Sequence, residues 1–347
     1  MTLPDNLPNP CGLTIDEIRE LLQKEEYGYL PSAPYKTEYV IEERYPYIFC
    51  AGNAELLKIR IICTTEYGVF TFPIKYTKLV SSSEDNKVPC FILINFRDDV
   101  PDRYLPSEEI ADAGYAVMSF SYLDITSDNI DYTTGLSGLL YPDGKRKNPT
   151  DCGKLAMWAW AAIRVLEYAL TLPEINHEKI SVAGHSRLGK TALLAGAMDE
   201  RFCCAFSNNS GCSGAALSRN IKGETVSVIN ERFPFWFCEN YKKYTDNEDS
   251  LPFDQHYLLA ANSTHKVYVA SAVEDLWADP ENEYLSCIAA SEYFEKNNKP
   301  GFIHPDNLPV VGDAFHDGYI GYHLRAGEHY LSRTDWNNYI NFLNKGE

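Results

Sequence analysis

Apolar runs alternate with helix-like segments along most of the chain. Short, nearly continuous apolar runs have the length and composition of strands buried on both faces; they cover residues 88–96, 115–122, 180–183, 203–208 and 265–272. Helical patterns lie between and after them, at residues 107–113, 153–172, 190–197, 280–296 and 334–344, with Asp151 as the expected cap of the longest. Right-handed crossovers join such an alternation into a mostly parallel sheet, so the pattern predicts an α/β fold.

The first eighty residues follow a different pattern. Residues 14–26 read as an amphipathic helix, with Thr14 as its N-cap and Glu17 completing a capping box. Residues 55–64 and 69–79 alternate between apolar and polar side chains, which predicts a hairpin with one solvated face. These residues form an N-terminal, strand-rich extension over residues 1–80.

Three segments lack regular periodicity and are expected to be loop-like or irregular: residues 125–149, 209–252 and 303–325. No repeat, low-complexity tract or linker divides the chain. We therefore expect a single domain over residues 1–347, with residues 1–80 packed on it as an extension.

Composition excludes several classes of function. The formal net charge of −18 argues against nucleic acid or an anionic membrane surface as a partner. No apolar stretch reaches the length of a membrane span, and residues 1–13 lack the basic and apolar regions of a signal peptide. The expectation is a cytoplasmic protein, or a secreted one if a leader has been removed. The sequence does not indicate the oligomeric state.

The ten cysteines are expected to be reduced and mostly buried. None forms a C-x-x-C pair, and most lie in apolar surroundings. Cysteine and histidine are not clustered at the spacing of zinc ligands, so we expect no metal and no cofactor.

The stretch over residues 180–202 carries the clearest chemical signal. An apolar run leads into Gly184 and Ser186, and a Leu- and Ala-rich helix follows. A serine between small residues at a sharp strand-to-helix turn is typical of the nucleophile elbow of α/β-hydrolases. The second glycine, Gly189, stands one place later than in G-x-S-x-G. The alternative is a Gly-rich turn in which Ser186 merely caps the helix.

A serine nucleophile needs a histidine base and a carboxylate, which in this fold follow it in the order Ser, acid, His. Of the eight histidines, His329 lies just before the C-terminal helix, and His323 is its competitor. The acid should follow the strand at residues 265–272, where Asp275 is preferred. Glu274 and Asp279 are the other candidates for the acid. Glu274 could be only a solvated neighbour, and Asp279 has the position of a helix N-cap before a proline.

The elbow and the residues after it resemble one known family. The run G-x-S-R-x-G-K, followed by AGA-x-DERF, is similar to the glucuronoyl esterases and their bacterial carbohydrate-esterase relatives, whose own variant has the late glycine. Residues 321–329 read GYH-x-R-x-G-x-H, and members of the family carry a similar run, so the resemblance also favours His329 as the base. The resemblance implies a three-layer α/β-hydrolase sandwich with a mostly parallel central sheet.

The resemblance also implies roles for further residues. Arg187 would stabilise an oxyanion with its backbone N–H and its guanidinium, together with an amide near residues 95–97. Lys190, Glu224 and Trp277 match positions that contact the sugar. Some relatives carry their acid as a glutamate where this chain has Asn209, which cannot act as the anion, so Asp275 would have that role alone.

The predicted function is that of a serine carbohydrate esterase that hydrolyses esters of (4-O-methyl-)glucuronic acid, as in xylan–lignin linkages. It would act through Ser186, His329 and Asp275 by an acyl-enzyme mechanism. The alternative is an acetyl-xylan or other carbohydrate acetyl esterase with the same triad. A carbohydrate-binding relative without activity is a further class, which the complete triad disfavours. The expected partner is a glucuronic-acid-bearing or acetylated carbohydrate.

Overall fold

The computed structural model describes residues 2–345, with residues 47–49 described through their backbone alone. The described strands are β1 (Lys36–Phe49), β2 (Ala54–Thr65), β3 (Gly68–Leu79), β4 (Val88–Asn95), β5 (Ala116–Ser121), β6 (Ile175–His185), β7 (Cys204–Asn208), β8 (Lys266–Ala272), β9 (Ala314–Phe315) and β10 (Ile320–Arg325). The described α-helices are α1 (Ile15–Leu22), α2 (Ser107–Asp112), α3 (Gly135–Leu140), α4 (Lys154–Ala169), α5 (Arg187–Met198), α6 (Val226–Arg232), α7 (His256–Ala260), α8 (Pro280–Lys296) and α9 (Arg333–Asn344).

All ten of these strands join one sheet, in the order β1-β2-β3-β5-β4-β6-β7-β8-β10-β9. The six central strands, from β5 to β10, pair in parallel. The outer pairings, at β1-β2-β3-β5 and at β9-β10, are antiparallel. The mostly parallel sheet with helices is that of an α/β-hydrolase, and the predicted fold class is confirmed.

Successive residues of the central strands pack into two different hydrophobic clusters, one on each face of the sheet. In β4, Ile92 belongs to the cluster that contains α4 and α5, whereas Leu93 belongs to the cluster that contains Trp336 and Phe342 of α9. Side chains alternate across a strand, so neighbouring residues point to opposite faces of the sheet. Each of these faces is covered by helices. This explains why the central strands read as continuous apolar runs.

The N-terminal extension continues the sheet. The predicted hairpin is present as β2 and β3, and β3 pairs antiparallel with β5, for example at Tyr76 and Met118. β1 was not predicted; it is an edge strand whose described side chains are largely exposed. Ion pairs across the strands, such as Arg44–Glu55 and Arg60–Glu42, link it to β2. A strand without a buried face has no apolar alternation to detect.

Two further local predictions are wrong. Residues 303–325 are not all loop, because β10 lies there, fully buried, and pairs in parallel with β8. Asp151 does not cap the long helix; its carboxylate accepts hydrogen bonds from the backbone of Lys147 and Asn148, and Gly153 stands at the N-cap of α4. The capping box of Thr14 and Glu17 is confirmed.

A search of the described helices finds none that is long and apolar enough to cross a membrane. All ten cysteines are free thiols in the structure, and most are buried.

Candidate active site

The candidate site is formed where four neighbouring strands end. Ser186 follows β6, Asn209 follows β7, Asp275 lies three residues after β8, and His329 lies four residues after β10. The strands adjoin in that order and run in parallel, so their carboxyl ends share one edge of the sheet. Adjacent strands lie about 4.8 Å apart, which brings residues distant in sequence within reach of one another.

Ser186 occupies a sharp turn between β6 and α5. Its backbone has φ 59° and ψ −129°, a left-handed conformation that is unfavourable for a residue with a Cβ and is typical of a nucleophile elbow. A Cβ on Gly184 would lie 2.0 Å from the carbonyl oxygen of Leu188, so only glycine fits there. The side chain of Ser186 forms no hydrogen bond that caps α5, contrary to the alternative of a simple cap.

His329 and Asp275 form a hydrogen-bonded pair beside the elbow. His329 Nδ1 lies 2.6 Å from Asp275 Oδ2, and Asn209 Nδ2 donates to the same oxygen at 2.7 Å. Burial favours the protonated acid, but the hydrogen bonds from His329 and Asn209 outweigh it and hold the pKa of Asp275 below its ordinary value. The carboxylate is therefore charged at neutral pH and can orient the imidazole.

Arg325 fixes the backbone of the loop that carries His329. Its guanidinium donates to the carbonyl oxygens of Ala326, Glu328 and Tyr330, on both sides of the histidine. Arg325 Nε in turn lies 3.0 Å from both carboxylate oxygens of Asp335. The position of the imidazole thus depends on an ion pair that begins at the end of β10.

Arg187 places a cation beside the nucleophile. Its guanidinium forms an ion pair with Asp128, and its Nε is buried without a hydrogen-bond partner among the described residues. Arg187 lines the same cavity as Ser186, so its cation is suited to stabilise a negative charge that develops there. Of the amides expected to contribute near residues 95–97, that of Phe96 already donates to the side chain of Asn95, at 2.8 Å.

Lys190 and Glu224 lie in the same cavity as Ser186 and His329. Lys190 Nζ donates to the carbonyl oxygens of Ser210 and Cys212, at 2.6 and 2.5 Å, and lies 3.6 Å from Glu224 Oε2. The side chains of Lys190 and Glu224 are only 3% and 9% exposed. The pair offers both hydrogen-bond donors and acceptors at a fixed position, which suits recognition of hydroxyl groups.

The cavity has a volume of about 350 Å³, and aromatic side chains form part of its wall. Trp277 is 47% exposed and Trp236 is buried. The guanidinium carbon of Arg232 lies 5.5 Å from the ring centre of Trp277. A larger cavity of about 580 Å³ lies among the amino ends of the parallel strands, and it contains none of the candidate residues. The chemistry therefore points to the smaller cavity.

His185, the last residue of β6, is buried directly before the elbow and packs against His329. Its ring centre lies 4.4 Å from that of His329, and its Nδ1 lies 2.6 Å from Asn208 Oδ1. Burial, reinforced by the nearby His329, lowers the pKa of His185 to about 3, so this imidazole is neutral at pH 7. Its hydrogen bond to Asn208 ties the ends of β6 and β7 together.

The structure thus brings Ser186, Arg187, Lys190, Glu224, Asp275, Trp277 and His329 to one cavity. The other two candidate acids differ from Asp275: Asp279 caps α8, and Glu274 does not line the cavity. Sequence reasoning missed Asp128, Trp236 and Arg232, which lie in segments without periodicity.

The chain is similar to known proteins in both its sequence and its fold. The model of the fungal glucuronyl esterase family matches residues 64–297. The chain is 41% identical over 233 residues to carbohydrate esterase MZ0003 from an unknown prokaryotic organism, covering 66% of this chain and 53% of that protein. It is 31% identical over 232 residues to 4-O-methyl-glucuronoyl methylesterase 1 of Wolfiporia cocos, covering 60% and 55%. These alignments span about half the length of the curated relatives.

Solved structures match nearly the whole chain. A glucuronoyl esterase from Solibacter usitatus superposes with a TM-score of 0.88 at 29% identity, covering 99% of this chain and 97% of that one. An enzyme described as a promiscuous CE15 esterase from a marine bacterial metagenome gives a TM-score of 0.85 at 30% identity, with 98% and 96% covered.

Proposed function

The chain belongs to the glucuronyl esterase family, and from that membership we propose that it is a carboxylic ester hydrolase that cleaves esters of 4-O-methyl-glucuronic acid. Curated relatives bear the name 4-O-methyl-glucuronoyl methylesterase. The observation that carries the proposal is that one cavity is lined both by the proposed catalytic residues and by polar side chains that could bind a sugar. Ser186 and His329 line it together with Lys190 and Glu224.

Ser186 is the proposed nucleophile. His329 Nδ1 faces Asp275, so Nε2 is the nitrogen available to take the proton from the Ser186 hydroxyl as its oxygen attacks the ester carbonyl. The C–O bond to the alcohol then breaks, and the protonated imidazole donates its proton to the departing oxygen. The product of this step is a glucuronoyl ester on Ser186 and a free alcohol.

Water completes the reaction. His329 removes a proton from water, the resulting hydroxide attacks the acyl carbonyl, and the Ser186 oxygen leaves with that proton. Each step passes through a tetrahedral oxyanion. We assign its stabilisation to Arg187, through the backbone N–H at the start of α5 and the positive charge of the guanidinium.

Lys190, Glu224 and Trp277 are the proposed sugar contacts. The buried Lys190–Glu224 pair can donate to and accept from the hydroxyls of a uronate ring, and the indole of Trp277 can pack on its C–H face. An acetyl group would leave these groups without a partner. For this reason we propose a uronate, rather than an acetate, as the acyl group.

The test compares two substrates with one enzyme preparation. We expect kcat/KM for benzyl glucuronate to exceed that for an acetylated xylo-oligosaccharide, and Ser186→Ala to remove both activities. A preference for the acetylated sugar would support the alternative, an acetyl esterase. Binding of both without turnover would favour a carbohydrate-binding relative.

Glu224→Gln distinguishes the sugar pocket from the triad. The variant keeps the shape of the side chain but removes its charge, so kcat/KM for benzyl glucuronate should fall by about 10–150-fold, which corresponds to about 1.5–3 kcal/mol. Hydrolysis of p-nitrophenyl acetate, which carries no sugar, is the matched control and should change little. Equal losses on both substrates would assign Glu224 a structural role.

A further inference from the structure

The guanidinium of Arg187 is held by a carboxylate from a distant loop. Asp128 lies after β5, and its side chain is 10% exposed. Three donors converge on it: Arg187 Nη1 and the Tyr122 hydroxyl on Oδ2, the latter at 3.1 Å, and Trp236 Nε1 on Oδ1 at 2.8 Å.

Asp128 binds both the cation and the ring on which that cation lies. The guanidinium carbon of Arg187 is 4.7 Å from the ring centre of Trp236, and Phe96 lies 5.8 Å away. Phe233 stacks in parallel on Trp236, with ring centres 3.8 Å apart. An arginine side chain has several rotatable bonds, and this combination of stacking and ion pairing restricts them.

The loop that contains Asp128 is held in place by hydrogen bonds from Lys154. Lys154, at the start of α4, is fully buried. Its Nζ donates to the carbonyl oxygen and hydroxyl of Ser127, at 2.7 and 2.8 Å, and to the carbonyl oxygen of Asp131, at 2.5 Å. The residues that accept these hydrogen bonds lie on both sides of Asp128 in the sequence, so a buried side chain fixes the backbone that carries Asp128.

We propose that Asp128 is a positioning residue for catalysis, which holds the Nη1 end of Arg187 so that the guanidinium stays beside the oxyanion formed on Ser186. The inference rests on the proposed function of Arg187. Stabilisation of an oxyanion is strongest when the donor is already in place, because no reorganisation is then needed as charge develops. An anion beside Arg187 weakens its positive field, so Asp128 aids the reaction only through this fixed geometry.

A double-mutant cycle separates this role from a purely structural one. Asp128→Asn should lower kcat for p-nitrophenyl acetate by about 10–100-fold, part of the effect of losing a whole oxyanion donor, with KM within about 3-fold. Arg187→Met removes the guanidinium and should lower kcat at least as much. In the Arg187→Met background, Asp128→Asn should change kcat by less than about 2-fold, because it acts through the missing group.

Melting temperatures of all variants, and the matched variant Trp236→Phe, complete the design. Trp236→Phe removes the indole N–H donor to Asp128 and part of the ring on which Arg187 lies, but it keeps the carboxylate, so it should cost less in kcat than Asp128→Asn. Should Asp128→Asn fail to fold, Asp128→Glu takes its place, with a smaller loss and the same coupling to Arg187. Loss of benzyl glucuronate turnover alone, with the cycle intact on p-nitrophenyl acetate, would refute the proposed substrate and leave the role of Asp128 standing. Equal effects of Asp128→Asn in both backgrounds, or an unchanged kcat, would overturn the proposal.

Discussion

Two histidine–aspartate pairs have their histidines six positions apart in the sequence, and the pairs differ in what surrounds them. His329 meets Asp275 at 2.6 Å and His323 meets Asp335 at 2.9 Å. The His329 side chain is 41% exposed and lines the cavity, whereas the His323 side chain is 2% exposed and lies on β10 within the core. The two pairs thus have similar hydrogen-bond distances, but the two histidines differ greatly in their exposure.

The difference lies in the second ring nitrogen. His323 uses both nitrogens, Nε2 with Asp335 and Nδ1 with the hydroxyl of Tyr268 at 3.0 Å. Among the described residues, His329 has a hydrogen-bond partner at Nδ1 alone, which is Asp275, and Nε2 is left for a reacting group. A histidine with both nitrogens engaged and no access to solvent serves the fold, and a histidine with one nitrogen open to a cavity can serve as a base.

The buried pair, His323–Asp335, is called the sealed pair here, and His329–Asp275 is called the exposed pair. The sealed pair also supports the exposed pair. Asp335 accepts from Arg325, whose guanidinium binds the backbone on both sides of His329. It further accepts from the backbone and hydroxyl of Ser332, at 2.6 and 2.7 Å, and so caps α9. We therefore expect changes to the sealed pair to appear first in stability, and changes to the exposed pair first in turnover.

The largest effect is expected from His329→Gln. Without its base, Ser186 is a weak nucleophile, and kcat for benzyl glucuronate should fall by about 10⁴-fold or more. The melting temperature should stay near that of the wild type, because the side chain is partly exposed. Steady-state kinetics and thermal unfolding on the same preparation test both expectations.

His323→Gln is the matched control for that variant. It removes two buried hydrogen bonds, so the free energy of unfolding should fall by about 1–3 kcal/mol. Turnover measured well below the melting temperature should stay within about 3-fold of the wild type. If His323→Gln were inactive while folded, the comparison between the two pairs would be wrong.

Asp275→Asn is expected to be nearly as damaging as loss of the base. His329 would lose its orienting charge, and kcat should fall by about 10³–10⁴-fold while the protein remains folded. Asn209 donates to Asp275 from the end of β7, so Asn209→Glu in the Asp275→Asn background should return part of the activity by supplying a carboxylate there. A mild effect of Asp275→Asn on kcat would remove this residue from the triad.

Asp335→Asn should act on stability in a pH-dependent way. Burial favours the protonated acid, but His323 and Arg325 outweigh it and hold the pKa of Asp335 below its ordinary value near 4. As pH falls, the unfolded chain binds this proton first, so the stability present above about pH 4 is lost through the folded-state pKa.

The measurement for Asp335→Asn is urea unfolding between pH 3 and 7. At pH 7 the variant should lose about 3–5 kcal/mol, because two buried cationic or donor partners lose their anion. Below about pH 4 the gap to the wild type should narrow. A gap that does not vary with pH would contradict the assignment of a charged Asp335.

The smallest effect is expected from Asp279→Asn. Asp279 has φ 55° and caps α8 by accepting from the backbone of Asn282, a role that asparagine performs about as well. Stability should fall by less than about 2 kcal/mol, and kcat should stay within about 3-fold. Kinetics as impaired as those of Asp275→Asn would mean that the wrong acid was chosen after β8.

Local patterns predicted the fold and placed Ser186 and Asp275, whereas the proposed roles of Arg187, Lys190, Glu224 and Trp277 came from the resemblance to a family. The strand and helix around Ser186 have strong periodicity, and the position of Asp275 follows from the strand before it. The strand β10 was missed because its residues lie among glycines and aspartates and are too few to show a period. Even so, His329 was selected from its place before the C-terminal helix.

The residues that support the site could not be predicted in this way. Asp128 is 59 positions from Arg187 and 108 from Trp236, and it lies in a segment without periodicity. Arg325 acts on the backbone of its own loop, which leaves no trace in composition. Such contacts arise only when the sheet has brought the ends of its strands together.

The most direct test of the central claim is the rate at which a fluorophosphonate labels Ser186. This reagent reports the reactivity of the hydroxyl without any need for the sugar pocket, and peptide mapping identifies the labelled serine. We predict that His323→Gln is labelled within about 3-fold of the wild-type rate, and that His329→Gln is labelled at least about 10³-fold more slowly. Equal labelling of the two variants, or slow labelling of folded His323→Gln with normal labelling of His329→Gln, would contradict the account.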